Sequence, residues 1–335
     1  MNTSLASAGA LERAQGCLLG QLAGDSLGAL VEFQDAEGIQ ARYPDGLREL
    51  GSGGPWNIYP GQPTDDSELA LALARSLVRR GGYDVEDVAS SYVCWLESGP
   101  FDVGTTTWSA LSAGRRSRAL GRPVSDACKS AANIRSEANG ALMRVSPLGI
   151  YGARLEADQV RDAAMEDASL THPNSRCQAA SGIFASVIAA VIGDGLDPRE
   201  AHRTALAWAD AWCIDGRVRT VLMDSEHEPP KDFKSQQGWV LIALQNAFYQ
   251  MLHATSLEEG IVATVMAGGD TDTNGCIAGA LLGAVHGRNA VPQRWQDTLA
   301  TCRPLAGMPG VHQPRPAQYW PVDAAELAGA LLLGS

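Results

Sequence analysis

The sequence lacks the features that mark membrane proteins and nucleic acid binding proteins. Its longest apolar stretches, at residues 182–193 and 276–285, are shorter than the roughly 18 residues that a membrane-spanning helix requires. Basic residues number 26 against 38 acidic residues, and the resulting net charge of −12 repels nucleic acid phosphates and anionic membranes. We therefore expect neither a nucleic acid partner nor a membrane partner.

Paired cysteines and a secretory leader are also missing. The 7 cysteines are scattered without a close pair, and neither a CxxC nor an HxxxH motif occurs. This spacing argues against a disulfide framework and against the common zinc sites. The opening segment MNTSLASAGALER has no basic stretch followed by an apolar core, so it does not resemble a signal peptide. We expect a cytoplasmic protein.

The pattern that is present is helical. Of the 335 residues, 45% are hydrophobic and 19% charged, which is typical of a folded chain, and no segment resembles an interdomain linker. We predict an all-α, compact single-domain bundle over residues 1–335, with a core at about 11–290 and a C-terminal wrap at 291–335 that ends in a short helix. Apolar periodicity predicts helices at residues 11–31, 67–80, 85–96, 177–192, 198–211, 238–252 and 275–285. The polar stretch 213–237 is predicted to be a long loop.

Glycines recur at intervals of four in the first and last of these predicted helices. The two series are Gly16, Gly20, Gly24, Gly28 and Gly275, Gly279, Gly283, Gly287. A glycine inside a helix costs about 1 kcal/mol relative to alanine, so each series must be offset by a gain elsewhere. Close backbone approach supplies such a gain. We predict that both helices lie at the centre of the bundle with their glycine faces against neighbouring helices.

Two dense clusters of carboxylates and hydroxyls precede or open predicted helices. They are Thr64, Asp65, Asp66, Ser67 and Asp270, Thr271, Asp272, Thr273, Asn274. Oxygen ligands of this kind bind hard cations such as magnesium, manganese and calcium. Helix capping is a second interpretation of each cluster. A calcium EF-hand beginning at Asp270 is a third, although its twelfth position is Leu281 and not an acid.

Three further polar residues are candidates for a site. Asp25 and Glu32 lie seven residues apart, and a helix through residue 31 would place both carboxylates on one face of a glycine-rich segment. This favours a functional role, with two exposed acids at a helix end as the alternative. His172 is isolated in the segment LTHPNS. Such a histidine is more often structural, but its loop position leaves a role in the site open.

Five segments resemble, in order and spacing, the motifs of the ADP-ribosylglycohydrolase family of the dinitrogenase reductase activating type. They are GCLLGQLAGDSLGALVEF, PTDDSELALALARSL, ANGALMRVSPLG, THPNSRCQAAS and AGGDTDTNGCIAGALLGAVHG, which span residues 16–287. The combination of TDDS with GDTDT is specific, and the ordered set of five segments is more specific still. The resemblance implies a compact all-α bundle with two magnesium or manganese ions in a central cleft.

The resemblance also implies roles for individual residues. The metal pair would be held by Thr64, Asp65, Asp66, Asp270, Asp272 and Thr273. The catalytic proton transfers would fall to Glu32 or Asp66. The ribose, diphosphate and adenine would contact Asn139, Gly140, Met143, Arg144, His172 and Trp239, the last by stacking.

The activity that the resemblance implies is metal-dependent removal of ADP-ribose from a modified protein, with arginine as the expected linkage. An ADP-ribosyltransferase system is a candidate partner. One alternative is hydrolysis of another ADP-ribose linkage, such as a serine linkage or O-acyl-ADP-ribose. The other is a protein of the same fold that binds ADP-ribose or has a structural role without catalysis.

Overall fold

Every regular element in residues 7–334, the part of the chain that the computed structural model describes, is a helix. The first eight are α1 (Ala8–Gly28), α2 (Ala36–Arg42), α3 (Asp65–Arg80), α4 (Val85–Glu97), α5 (Thr105–Ala119), α6 (Val124–Ala131), α7 (Ser146–Gly152) and α8 (Ala157–Ser169). The others are α9 (Ser175–Asp194), α10 (Pro198–Ala211), α11 (Gly216–Asp224), α12 (Val240–His253), α13 (Leu257–Met266), α14 (Thr271–His286), α15 (Gln293–Thr301) and α16 (Ala324–Leu333). The all-α prediction is confirmed.

The seven predicted helices are all present, but the first one ends early. It was predicted to reach residue 31, whereas α1 ends at Gly28 and Glu32 lies in the turn beyond it. Glu32 therefore does not share a helix face with Asp25, and that expectation was wrong. Beyond the helix, the amide of Phe33 donates to the carbonyl of Gly269 at 2.8 Å, which ties this turn to the segment before α14.

Two expectations about irregular segments were also wrong in part. The predicted loop at 213–237 contains α11, which Asp215 caps by accepting a hydrogen bond from the amide of Arg217 at 2.9 Å. Val218 and Leu222 are buried at a helical spacing of four, a signal that the surrounding polar residues obscured. The C-terminal region holds two α-helices, α15 and α16, where one was predicted. Residues 302–316 connect α15 to a short 3₁₀ helix, Ala317–Tyr319, as an irregular loop in which the amide of Arg315 donates to the carbonyl of Pro304 at 3.0 Å.

The glycine series pack the central helices α1 and α14 directly against each other in antiparallel orientation. A Cβ atom added at Gly20 would lie 2.2 Å from the carbonyl oxygen of Gly279, and one at Gly24 would lie 2.0 Å from that of Gly275. No side chain fits at such distances, so glycine allows the two backbones to touch. This confirms the predicted central packing. Gly287 differs from the rest because it follows α14, with a φ of 77° that ends the helix.

Asp25 joins α1 to α3. Its buried carboxylate accepts hydrogen bonds from the amide of Thr64 at 3.0 Å and from the amide of Ser67 at 3.1 Å. These bonds cap α3 from another helix, since Thr64 makes no side-chain cap of its own. Burial raises the pKa of Asp25 to about 6, although the same hydrogen bonds act to lower it. The first turn of α3 is therefore fixed relative to α1.

Helix α9 explains the apolar run at 182–193. The run belongs to a helix of 20 residues that is long and apolar enough to cross a membrane by length and composition alone. However, 78% of its most apolar window is buried inside the protein. α9 packs against α7 and α8 as a core helix does.

Candidate active site

A cavity of about 220 Å³ opens where three helices begin. The first turns of α3, α5 and α14 form much of its wall, and the turn after α1 and the segment at 138–143 complete it. Helix N-termini carry a partial positive charge, so three of them converge on one space. The packing of α1 against α14 and the Asp25 cap of α3 hold two of these termini in place.

The cavity is lined by acids that have almost no basic partners. Its acidic residues are Glu32, Asp65, Asp66, Asp102, Asp270 and Asp272. Oxygen atoms from Glu32, Asp270 and Asp272 lie within 4.8 Å of one another. No lysine or arginine is among the lining residues, and His172 is the one imidazole there. The described structure thus concentrates negative charge without neutralising it.

Burial and mutual repulsion raise the pKa values of these acids. Glu32 reaches a pKa of about 8, mainly through burial and then through the charge of Asp102. The pKa values of Asp65, Asp66 and Asp272 lie well above their usual range, again chiefly because of burial, with added repulsion from neighbouring carboxylates. A bound cation would oppose both effects.

The alternative explanations of the two acidic clusters fail in the structure. Neither Thr64 nor Asp270, the N-cap residues of α3 and α14, makes a side-chain capping bond. An EF-hand beginning at Asp270 is wrong, because α14 begins at Thr271 and leaves no twelve-residue loop. One buried oxygen, Oδ1 of Asp66, has no hydrogen-bond partner in the described chain. This orphaned oxygen and the all-oxygen donor set fit divalent cations such as magnesium or manganese.

The predicted metal ligands are brought together, with one difference in depth. Asp65, Asp66, Asp270, Asp272 and Thr273 all line the cavity. Thr64 lies behind them, fully buried, with its hydroxyl 3.0 Å from Asp25 and 2.9 Å from Asp66. Glu32, predicted as a catalytic acid, lies within the same carboxylate group.

The first turn of α5 gives the cavity a side of different chemistry. Thr105, Thr106 and Thr107 line it, and this turn contains no acidic residue. The first amide N–H groups of an α-helix have no partner within the helix, so such a turn attracts anions. Acids and an anion-attracting helix terminus therefore share one cavity.

Four of the predicted substrate residues line the cavity near this turn. Asn139 donates from Nδ2 to Asp270 at 2.7 Å. A Cβ atom at Gly140 would lie 2.9 Å from Cε1 of His172, so this close approach requires glycine. Burial and the nearby Arg144 lower the pKa of His172 to about 3, and its imidazole is neutral at pH 7. Met143 also lines the cavity.

Two other predicted substrate residues do not line this cavity. Arg144 is fully buried below it, where its guanidinium pairs with Asp167 at 3.0 Å. Trp239 lies in an adjoining open cavity of about 440 Å³ and donates from Nε1 to Glu137 at 2.8 Å. Ala138 lines both cavities, so Trp239 is a neighbour of the acidic site.

The chain matches a known protein family over most of its length. The sequence profile described as ADP-ribosylglycohydrolase matches residues 6–318. The chain belongs to the ADP-ribosylglycohydrolase family. The match covers every helix that lines the cavity and ends two residues after the loop 302–316.

Curated ADP-ribosylglycohydrolase relatives come from several kinds of organism. The ADP-ribosyl-[dinitrogen reductase] glycohydrolase of Rhodospirillum rubrum is 31% identical over 290 residues, covering 86% of this chain and 90% of the relative. The ADP-ribosylhydrolase ARH3 of Bos taurus is 26% identical over 333 residues, covering 87% and 90%. An ADP-ribosylarginine hydrolase of Pseudomonas putida is 24% identical over 298 residues, covering 87% and 75%.

A solved structure has the same fold. Its title is "ADP-ribosylglycohydrolase-related protein complex", and it matches with a TM-score of 0.74 and 27% identity. The match covers 97% of this chain and 98% of that one. With the named relatives, this supports a hydrolase that acts on a glycosidic bond.

Sequence reasoning missed the threonines of the first turn of α5 and two further residues of this glycohydrolase cavity, Asp102 and Phe33. Asp102 lines it, and burial and the charge of Asp270 raise its pKa to about 7. Its signal was an acid shortly before a helix, which resembles a cap, but the N-cap of α5 is Gly104. Phe33 also lines the cavity, 46% exposed and with a φ of 66° that large side chains rarely adopt. Nothing in its sequence context indicated this conformation.

Proposed function

We propose that this protein is a metal-dependent hydrolase that removes ADP-ribose from modified proteins, with arginine as the linkage. The observation that carries the proposal is a single cavity in which unneutralised acids face a helix terminus suited to anions. An ADP-ribosyl group needs both, since its ribose hydroxyls can bind metal ions and its diphosphate is anionic. The cytoplasm, where an ADP-ribosyltransferase would modify the target, is the proposed location.

We assign the metal pair to the oxygen-rich clusters at the starts of α3 and α14. The proposed ligands are Thr64, Asp65, Asp66, Asp270, Asp272 and Thr273. Thr64 does not line the cavity, but its hydroxyl is hydrogen-bonded to Asp66, which does. Two bound Mg²⁺ or Mn²⁺ ions would supply Lewis acidity and lower the pKa of a water molecule. Asn139, through its bond to Asp270, orients one of these carboxylates.

The remaining residues of the cavity bind and orient the substrate. The first turn of α5 is placed to receive the diphosphate, next to Asn139, Gly140 and the neutral His172. Trp239, in the adjoining cavity, is placed to contact adenine outside the acidic site. Arg144 supports this wall from below, because its donors are taken by the protein itself.

Hydrolysis requires two proton transfers, and the cavity contains acids for both. The oxygen of water forms a bond to the anomeric carbon as the bond to the leaving nitrogen breaks. Glu32 or Asp66 takes the proton that the attacking water loses. The leaving guanidine nitrogen gains a proton, and we assign its donation to Asp102, which lines the same cavity.

The arginine linkage is supported by charge and by relatives. The leaving group becomes a guanidinium, and the cavity through which it departs is lined by Glu32, Asp65 and Asp102. Two of the similar proteins are named for ADP-ribosylarginine or for ADP-ribosyl-dinitrogen reductase. The relative from Bos taurus carries a name without a stated linkage, so another ADP-ribose linkage remains the second candidate.

Release of free ADP-ribose tests this proposal. Arginine-ADP-ribosylated protein, serine-ADP-ribosylated peptide and O-acyl-ADP-ribose would be incubated with the enzyme in MgCl₂ or MnCl₂, and then with excess EDTA. We expect release from the arginine substrate that EDTA abolishes. The variant Asp272→Asn should be inactive, whereas Asp232→Asn, at an exposed acid outside the cavity, should match the wild type.

Each of the other possible outcomes rejects a specific part of the proposal. Release from the serine or O-acyl substrate alone would reject the arginine linkage and keep the reaction class. Release that persists in EDTA would reject metal dependence. A protein that neither releases ADP-ribose from any substrate nor binds Mn²⁺ would be a catalytically inactive member of the family.

A further inference from the structure

A loop in the C-terminal region contacts residues that support the acids of the candidate active site. We call residues 302–316 the strap. Within it, Gln313 and Arg315 contact three segments that are distant in sequence. Each of those segments carries, or directly contacts, an acid of the cavity. None of the residues assigned to the site by sequence lies in the strap.

The first connection runs from Gln313 to Glu32. The carboxylate of Glu32 accepts a hydrogen bond from Nε1 of Trp56 at 2.6 Å. The backbone carbonyl of Trp56 accepts one from Nε2 of Gln313 at 3.0 Å. Gln62 donates to the carbonyl of Gln313 at 2.7 Å, so the loop around Trp56 is held to the strap at two points. Glu32 itself lies in a turn beyond α1 and not in a helix.

The second connection runs from Arg315 to α3 and to the loop before α5. Arg315 is buried and pairs with Glu68, in the first turn of α3, through two contacts of 2.8 Å. The same guanidinium donates to the carbonyl of Ser98 at 3.1 Å and to its hydroxyl at 2.8 Å. Ser98 begins the loop that carries Asp102, four residues later.

The two connections meet at an aromatic pair. The ring of Trp56 lies 6.3 Å from that of Phe101, the residue before Asp102, at an angle of 50°. The indole that holds Glu32 therefore also packs against the loop of Asp102. Both of these acids lie on irregular segments, whereas Asp65, Asp66 and Asp272 lie on helices. Acids on loops need support from neighbouring residues to keep a productive geometry.

We propose that the strap, through Gln313 and Arg315, and Trp56 are positioning elements that hold Glu32 and Asp102 for hydrolysis. This inference rests on the proposed function, since it assigns a purpose to the placement of two acids in that reaction. Trp56 acts on Glu32 through its indole N–H, and Gln313 acts through Trp56. Arg315 acts on Asp102 by fixing the start of its loop.

Trp56→Phe and Gln313→Met test the first connection with little change in shape. Each removes one hydrogen-bond donor, so we expect kcat to fall by about tenfold while KM stays within about twofold. In a Glu32→Gln background the same changes should cause no further loss, because the group they position has been replaced. Trp295→Phe is the matched control, since it removes a buried indole N–H that donates to Arg48 at 2.7 Å outside the site.

Arg315→Lys tests the second connection. Lysine keeps a positive charge near Glu68 but lacks the planar fork that reaches both Glu68 and Ser98. We expect kcat to fall by about tenfold, with thermal stability reported beside it to separate unfolding from misplacement. In an Asp102→Asn background, Arg315→Lys should cause no further fall in kcat, whereas in a Glu32→Gln background it should still lower kcat.

A spectroscopic measurement tests the inference without catalysis. In protein labelled with ¹⁵N-tryptophan, the Nε1 proton of Trp56 should resonate downfield of exposed indoles because its bond to Glu32 is short. Gln313→Met should shift this resonance, and Trp295→Phe should leave it in place. If wild-type enzyme releases no ADP-ribose while the resonance shifts as expected, the proposed function fails and the strap still orders Glu32.

Two results would overturn the positioning role. One is full kcat in Trp56→Phe and Gln313→Met in an enzyme whose wild type is active. The other is a loss that remains equally large in the Glu32→Gln background, because a merely structural defect would add to any catalytic one. An unmoved indole resonance in Gln313→Met would separately reject the link between the strap and Trp56.

Discussion

The helices α1 and α14 form two regions with opposite effects on stability. One is the close contact along their length, and the other is the acidic cavity at the end where α14 begins. Along their length, glycines bring the two backbones into contact, so that an added Cβ atom would overlap a carbonyl oxygen. At the end where α14 begins, carboxylates crowd a cavity without basic partners, and their pKa values rise. The first region favours folding and the second opposes it. A rigid contact between two helix backbones thus holds together a group of carboxylates that would otherwise repel one another.

The largest expected effect comes from breaking the contact region. Gly279→Ala places a Cβ atom 2.1 Å from the carbonyl oxygen of Gly20, so the free energy of unfolding should fall by about 3 kcal/mol. Gly329→Ala in α16 is the control, because its nearest neighbour lies 3.5 Å away. There the change should stabilise by about 0.5 kcal/mol. Urea unfolding measures both, and equal stabilities would contradict close packing.

The opposite result is expected in the acidic region. Asp66→Asn removes a buried charge whose Oδ1 has no partner, so the protein in EDTA should become more resistant to urea. Turnover should fall by about a thousandfold, because the variant loses a proposed metal ligand and proton acceptor. Asp232→Asn should alter neither property. A variant that lost stability along with activity would show that Asp66 is structural.

The pH dependence of stability sharpens the contrast. Raised pKa values mean that the folded state binds more protons than the unfolded state, so stability is lost as pH rises through the folded pKa. For Glu32, raised from 4.5 to about 8, and Asp102, raised from 3.8 to about 7, the loss in EDTA begins above the ordinary pKa and continues to the raised one, and it can be measured from pH 6.5 to 8. The pKa of buried His172 is lowered to about 3, so this residue makes the protein less stable as the pH falls below 6.5. Measurements above pH 6.5 avoid this opposing contribution.

Thermal unfolding in EDTA across this window measures the effect. Saturating Mg²⁺ should flatten the profile, and Glu32→Gln should reduce the slope even without metal. Stability that rose with pH in this window would mean that these acids are stabilised as anions by groups within the protein.

Phe33 provides the smallest test. Its φ of 66° is strained for an aromatic residue, so Phe33→Gly should stabilise the protein by about 1 kcal/mol. The same change removes an exposed ring from the cavity wall, and KM should increase. Cys213→Gly, with a φ of 49° outside the cavity, should stabilise without affecting KM. If both variants kept the wild-type KM, Phe33 would have no role in substrate binding.

The sequence predicted the parts of this structure that depend on local pattern. The glycine series predicted close packing because glycine is costly inside an isolated helix, and the acidic clusters predicted a group of oxygen ligands suited to a hard cation. The end of α1 could not be predicted in this way, since Phe33 is fixed by Gly269, more than 200 residues later. Asp102 was missed for a related reason. A single acid in a loop has no local pattern, and only the folded structure shows that it lies beside the other acids of the cavity.

Some predictions of residue role remain predictions. Arg144 and Trp239 lie beside or beneath the cavity, and their chemistry depends on how the substrate extends beyond it. Asp25 shows the reverse case. It was singled out as an acid in an apolar helix, and its observed contacts explain it as the residue that caps α3 from a distance.

The pairing of α1 with α14 also bears on how the chain matures during synthesis. Thr271 donates from its hydroxyl to the carbonyl of Gly28 at 2.7 Å, across 243 positions of sequence. A glycine-rich segment is a poor helix former alone, so α1 gains its partner only after most of the polypeptide has left the ribosome. The strap joins later still. A chain that has not yet been synthesised beyond α13 therefore lacks Asp270 and Asp272 of the cavity.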